Sequence, residues 1–462
     1  MSPETRARVL LFLFVLATVA PFMHIFRAQQ ASRVALSASL WDNHTIVLDE
    51  MSDVVAIDIA VRDDHLYSDK APLQPFLGAP VYGIYRVAGG EPATVLRIEE
   101  NLGVWWQTFW FAAAPLAALA VVLYGMVKRV NPRAALPAAL ATVTGTLLLP
   151  FGSLLFGHVL SALFIAGAVA LLVGDEVNWG RLLGAGLLVG AAVTTEYPAA
   201  LAGGVVAALA LWRARTRVYW FVLGGLPMAA FLGIYHTIAF GSPLSHPYRY
   251  SAFSGVPDSE QPFLEVFNGI RWDHLWSVFF EGRGFLPASP IVILGLVGSV
   301  VLARREAGVK RALALTALAS FVAMLAIPLF WGNPWGGSSP GPRYMVPALP
   351  LLAAGVAALW SWRPLITRAV VALSVLTMTL ATITDPLVTG DQRGGIGKWL
   401  RLFRDGEIAD TVFTMTLGGW GWLIHIALVG GLGWMLYRHV SSMNAKASGS
   451  PIGPHFVGDV TG

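Results

Sequence analysis

The 462-residue chain contains no cysteine. That absence excludes disulfides, thiolate metal sites and a cysteine nucleophile. Charge is also scarce: Asp, Glu, Lys and Arg make up 13% of the residues, whereas soluble domains carry roughly 25%. A chain this poor in charge cannot clothe a water-facing surface. The HExxH spacing of zinc hydrolases is missing. No internal repeat is visible, which counts against an inverted-repeat transporter. What fills the chain is apolar: 56% of residues are hydrophobic and the mean hydropathy is +0.64. This is the composition of a polytopic membrane protein. The pI of 9.4 and net charge of +4 do not mark a nucleic-acid binder. The basic residues sit in short clusters between apolar runs, where they report orientation.

A spanning helix needs about 20 predominantly apolar residues, and about twelve segments meet that criterion. They begin near Val9, Val104, Ala134, His158, Leu182, Pro198, Trp220, Pro287, Ala312, Met345, Ile366 and Leu417. The first, Val9 to Phe26, reads as a retained signal anchor, because Pro21-Phe22-Met23-His24 is bulky where a cleavage site takes small residues. Short basic connectors at Lys128-Arg129, Arg181, Arg213 to Arg217, Arg304 to Arg311 and Arg363 to Arg368 place both termini in the cytoplasm. The fold class expected is therefore all-α and polytopic. It forms one transmembrane domain over 1–440, with a long first extracytoplasmic loop at 28–103 and a disordered cytoplasmic tail at 441–462. Asp53 to Val61 mixes apolar and charged positions at helical spacing, the pattern of an interfacial helix. Tryptophans at the outer helix ends, among them Trp272, Trp276, Trp335 and Trp420, read mainly as an aromatic belt.

The residues able to do chemistry gather on the outer face, which has no nucleotide supply. In the first loop, Asp49-Glu50 follows the apolar strip Ile46-Val47-Leu48, and Asp53, Asp58, Asp63 and Asp64 follow. A partly desolvated carboxylate there suits general-base work; a solvated loop acid is the plain alternative. Tyr67-Ser68-Asp69-Lys70-Ala71-Pro72 offers a cation held beside an acid, either a phosphate partner or a surface ion pair. Glu196 and Tyr197 lie between apolar helices, where a carboxylate is costly unless paired or used. Gly336-Gly337 leads to Arg343-Tyr344, and that combination suits an anion site or a flexible turn with a snorkelling arginine. His158, Arg249 and Arg283 are further candidates for substrate contact. No metal is expected, and no cofactor beyond a donor that arrives in the membrane.

Taken in order, these residues resemble the GT-C superfamily of integral-membrane glycosyltransferases. The resemblance rests on Asp49-Glu50, Asp69-Lys70-Ala71-Pro72, Phe156-Gly157-His158 and Thr195-Glu196-Tyr197-Pro198. It continues through Ala239-Phe240-Gly241-Ser242-Pro243 and Trp335-Gly336-Gly337 to Gly341-Pro342-Arg343-Tyr344. One position departs from the pattern: Leu73 stands where glycine is frequent. The resemblance implies an inverting transfer of a monosaccharide from a polyprenyl-phosphate donor to a hydroxyl of an extracytoplasmic glycan, lipid or protein. It gives Asp49 the base role, with Glu50, Asp53 and Asp58 as rivals. It gives Lys70 and Arg343 the donor phosphate. A transporter or flippase of a lipid-linked anion is the alternative reading.

Overall fold

Residues 1–55, 58–95, 101–251, 269–389 and 394–448 are described by a computed structural model. Helices dominate it, and its only sheets are two antiparallel two-stranded pairs among the described residues. Six helices are long and apolar enough to cross a membrane, or up to seven if the pair Asp273–Ala288 and Ile291–Arg305, bent by 94°, is one span. Shorter apolar helices at Ala135–Gly145, His158–Leu172 and Trp179–Thr195 pack among them. Each segment expected from hydropathy falls on helix, but several are broken or too short to pass the length test. The protein is a multi-pass membrane protein, and the count of spans is lower on that test than hydropathy alone gives.

Small residues let these helices approach closely. A Cβ on Gly298 would run into the backbone of Gly355, and one on Gly355 into the backbone of Gly295. Without water to drive association, such contacts are how membrane helices pack. The largest apolar core runs from Leu10 and Leu11 through Leu116, Phe151, Val169 and Leu349 to Met378.

The first helix, Pro3–Val19, ends earlier than its hydropathy implies. Pro21 stops it, and Phe22–Met23 pairs as a short strand with Asp410–Thr411, which precede the last helix. The first loop is structured. It carries helices Ala28–Ala38 and Leu73–Val87, which pack on each other and flank a hairpin. The hairpin pairs Ile59–Arg62 with His65–Ser68. It replaces the interfacial helix expected over Asp53 to Val61. Asp63 and Asp64 take φ of 52° and 61°, the two left-handed positions of a tight hairpin turn. Turn chemistry at Asp63-Asp64 thus overrides the helical periodicity before it. A second small core under this loop contains Val34, Leu36, Leu48, Tyr67, Tyr82 and Phe240. At the other end of the chain, the last helix runs to Ser448, so the expected tail begins as helix; 449–462 lie outside the described residues.

Candidate active site

The Ala28–Ala38 helix, the hairpin, the C-terminal end of Trp179–Thr195 and the start of the Arg343–Leu352 helix bring a set of charged side chains together beneath the first loop. Lys70 follows the hairpin, just before the Leu73–Val87 helix begins. Its side chain is 6% exposed and its Nζ lies 2.9 Å from a carboxylate oxygen of both Asp58 and Asp69. Ser68 Oγ accepts from the Lys70 amide at 3.2 Å and meets Ser32 Oγ at 2.8 Å, which ties the turn to the neighbouring helix. Burial acts against the Lys70 charge, but Asp69 and Asp58 outweigh it and hold its pKa above the usual lysine value. Burial raises Asp69 above the usual carboxylate value, with Lys70 opposing and Asp58 reinforcing the rise.

Arg343 stands across from this pair, and its positive charge acts against Lys70. Gln29, its amide turned so that Oε1 faces the guanidinium, accepts from Nη2 at 2.8 Å and from Nη1 at 3.1 Å. The Arg343 Cζ sits 5.3 Å from the ring centroid of Tyr344 and 5.9 Å from that of Phe156. Glycine is required just upstream. Gly336 and Gly337 have φ of 77° and 98°, and a Cβ on Gly336 would lie 2.7 Å from Arg343 Nε.

A third group joins the first loop to the helix bundle. Arg33 is fully enclosed; its Nη2 donates to Glu196 Oε1 at 2.6 Å and its Nη1 to Gln74 Oε1 at 2.9 Å. His158 Nδ1 lies 3.5 Å from the same Glu196 oxygen, and its ring meets Tyr344 edge-on at 6.4 Å. Gly157 makes room for this: a Cβ there would lie 2.6 Å from Glu196 Oε1. Glu196 is therefore a paired buried acid, and its partner is Arg33. Tyr197 Oη meets His236 Nε2 at 3.1 Å and joins an aromatic wall with His246 and Tyr248.

Of the residues singled out from sequence, Asp58, Asp69, Lys70, His158, Glu196, Tyr197, Arg343 and Tyr344 line this one region. Asp49 is outside it. Its carboxylate is 43% exposed, receives the Leu66 amide at 2.8 Å and contacts His65 Nδ1 at 2.6 Å. Burial raises the Asp49 carboxyl, but the Leu66 amide and His65 together outweigh it and hold the pKa below the usual value. It braces the hairpin. Glu50 is exposed on the adjoining turn, and the Tyr67 ring packs edge-on against Phe240. Arg249 lies on the Pro247–Tyr250 turn beside Tyr248. Arg283 is a brace: buried under the Trp335 ring at 4.6 Å, it donates to the carbonyls of Ser339 and Val388. Trp335 is correspondingly buried and is no part of an aromatic belt. Sequence reasoning missed Arg33, Gln29 and Gln74. The signal for Arg33 was present: a lone charge among the small residues of Ala31-Ser32-Arg33-Val34-Ala35.

No family model and no curated protein matches the chain. The crystal structure of ArnT from Cupriavidus metallidurans bound to undecaprenyl phosphate is similar at TM-score 0.50 with 14% identity, over 95% of this chain and 78% of that one. The archaeal oligosaccharyltransferase AglB from Archaeoglobus fulgidus, in complex with an inhibitory peptide and a dolichol-phosphate, follows at TM-score 0.47 and 12% identity, over 84% and 56%. The chain thus shares its fold with ArnT over nearly its whole length.

Proposed function

We propose that this protein is a membrane glycosyltransferase that moves a monosaccharide from a polyprenyl-phosphate donor to a hydroxyl of an extracytoplasmic acceptor, with inversion at the anomeric carbon. The observation that carries this reading is the buried Lys70 beside Arg343, on two different outer loops of a GT-C fold. Two cations brought out of water beneath a loop suit a phosphate that is a leaving group. The ArnT structure of the same fold holds undecaprenyl phosphate, the class of lipid phosphate that leaves the donor proposed here.

In this reading Lys70 and Arg343 bind the donor phosphate and stabilise the charge that develops as the glycosidic bond breaks. The acceptor oxygen attacks the anomeric carbon from the opposite face, and its proton passes to a carboxylate. Asp58 fits that role better than Asp49. Its side chain is 19% exposed and touches Lys70, so it lies near the phosphate site and is still reachable. Asp69 is 4% exposed and serves as the fixed counter-charge of Lys70. Arg33, Glu196 and His158 hold the loop on the bundle so that the two cations keep their spacing. The sugar, the acceptor, cytoplasmic termini and an outward-facing site belong to the same proposal.

The test is transfer of labelled sugar from a synthetic polyprenyl-phosphate donor pool into cell-envelope acceptors, with donor binding measured in parallel. Asp58→Asn should bind donor and lose transfer by about 10²- to 10⁴-fold, the usual share of general-base catalysis. Asp49→Asn should transfer nearly as the wild type does. If Asp49→Asn is dead and Asp58→Asn is active, the base is misassigned. If neither matters and the protein moves lipid-linked anions between leaflets, the enzyme reading fails.

A further inference from the structure

A second polar space lies beside the charged cluster, and the reading above leaves it unused. It is a cavity of about 300 Å³ between the outer end of the first helix, the start of the Ala28–Ala38 helix, the Leu102–Thr108 helix and the Asp410–Thr411 strand. Phe22, His24, Gln30, Trp105, Ser153 and Asp410 are among the residues that line it.

Two chain segments form a partition between this cavity and the charged cluster. On the Ala28–Ala38 helix, Gln30 faces the cavity while its neighbour Gln29 holds Arg343. On the stretch from the Leu148–Gly152 helix to His158, Ser153 faces the cavity while His158 meets Glu196. The lining is fixed before anything binds. Trp105 Nε1 donates to the Ala20 carbonyl at 2.7 Å. His24 Nε2 pairs with Ser153 Oγ at 2.9 Å, and the His24 ring stacks on Phe22 at 5.7 Å. Burial pushes the His24 pKa down to about 4, with Asp385 opposing, so its ring is neutral at ordinary pH. Among the described residues of the lining, Asp410 carries the only formal charge at neutral pH and none is a cation.

The Trp105 indole, hydroxyl, amide, imidazole and carboxylate groups, and no positive charge among the described lining residues, are the wrong chemistry for a phosphate. They are the right chemistry for a sugar ring, whose C–H face packs on an aromatic ring while its hydroxyls donate and accept. At about 30 Å³ of liquid volume per water, the space corresponds to about ten waters, enough for a single ring. We propose that this cavity is a binding site for a neutral monosaccharide unit, one partition away from the phosphate cluster. The proposal rests on the glycosyltransferase reading only for its source: the ring is a unit of the acceptor remote from its reacting hydroxyl, because the transferred sugar is bonded to the phosphate and does not reach across the partition.

Saturation-transfer NMR tests this on the full-length protein in nanodiscs, with methyl glycosides of glucose, galactose, mannose and arabinofuranose as probes. At least one should bind saturably. Trp105→Ala removes an aromatic face, and Met415→Trp fills the cavity from its half-exposed rim. Each should weaken that binding by about tenfold or more while leaving affinity for bare polyprenyl phosphate unchanged. If the variants also weaken binding of polyprenyl-phosphate sugar relative to the bare lipid, the ring is the donor's and the proposal is overturned. If they leave it unchanged, the ring is the acceptor's. Absence of saturable binding by every glycoside overturns the proposal, as does binding that both variants leave intact. Failure of the wild type to bind polyprenyl phosphate would sink the glycosyltransferase reading instead, and the glycoside result would stand apart from it.

Discussion

Replacing Lys70 by methionine separates what its charge does for the fold from what it does for function. The substitution keeps the length of the stem and deletes a cation that contacts Asp58 and Asp69, both at 2.9 Å. Asp69 is nearly enclosed, so its carboxylate is stranded without a counter-charge. Breaking one side of a buried pair costs about 3–5 kcal/mol. The sign of the pH dependence follows from Asp69. Burial already raises its folded pKa above the reference value of 3.8, with Lys70 opposing that rise. A raised carboxyl stabilises the fold below its unfolded pKa and loses that contribution as pH climbs through the folded value. Removing Lys70 raises the folded value further, so the deficit of the variant should grow from pH 5 to pH 8. Lys70 titrates above its reference value of 10.5, so its stabilisation of the wild type is intact throughout this window. Lys70→Met/Asp69→Asn, which removes the stranded charge as well, should recover half or more of the lost stability. It should recover no donor binding. The assay is unfolding by SDS titration in mixed micelles, followed by tryptophan fluorescence at each pH, alongside polyprenyl-phosphate binding. A Lys70→Met protein that unfolds with the wild type at every pH would refute the reasoning, because Asp69 would then have water or another cation beside it.

Three further outcomes are expected. Gly157→Ala would place a Cβ 2.6 Å from Glu196 Oε1 and 2.8 Å from the Thr195 carbonyl. Thermal unfolding in detergent should show a loss of about 1–3 kcal/mol, and Gly157→Ser should be no better. Gly298→Ala drives a methyl into the Gly355 backbone and should separate the Ile291–Arg305 and Ala353–Trp362 helices; a loss of about 1–3 kcal/mol is expected in the same measurement. Reporter fusions after Asp64 and Gly337 should map to one side of the membrane and fusions after Lys128, Arg217 and Arg305 to the other. Opposite sides for Asp64 and Gly337 would make a shared site of Lys70 and Arg343 impossible.

The sequence by itself was enough for the membrane class and for the helical character of every long apolar segment. Hydropathy is a property of local composition, and a bilayer leaves few alternatives to a helix. Local chemistry likewise marked Asp69-Lys70 as a linked pair and Gly336-Gly337 as an anion site or a flexible turn ahead of Arg343. Tertiary structure decided which of the first-loop acids matters. Asp49 and Asp58 look alike in the chain, and periodicity even put Asp58 on a helix. The hairpin turn at Asp63-Asp64 reverses the strand, sends Asp58 to Lys70 and leaves Asp49 bonded to the Leu66 amide in solvent. Arg33 and Glu196 are 163 positions apart, and no local pattern pairs them. The roles of Arg283 and Trp335 depended in the same way on where the Ser339 and Val388 carbonyls come to rest. Burial and charge pairing arise between segments distant in sequence, so composition and spacing can nominate these residues, but only the folded chain distinguishes the brace from the site.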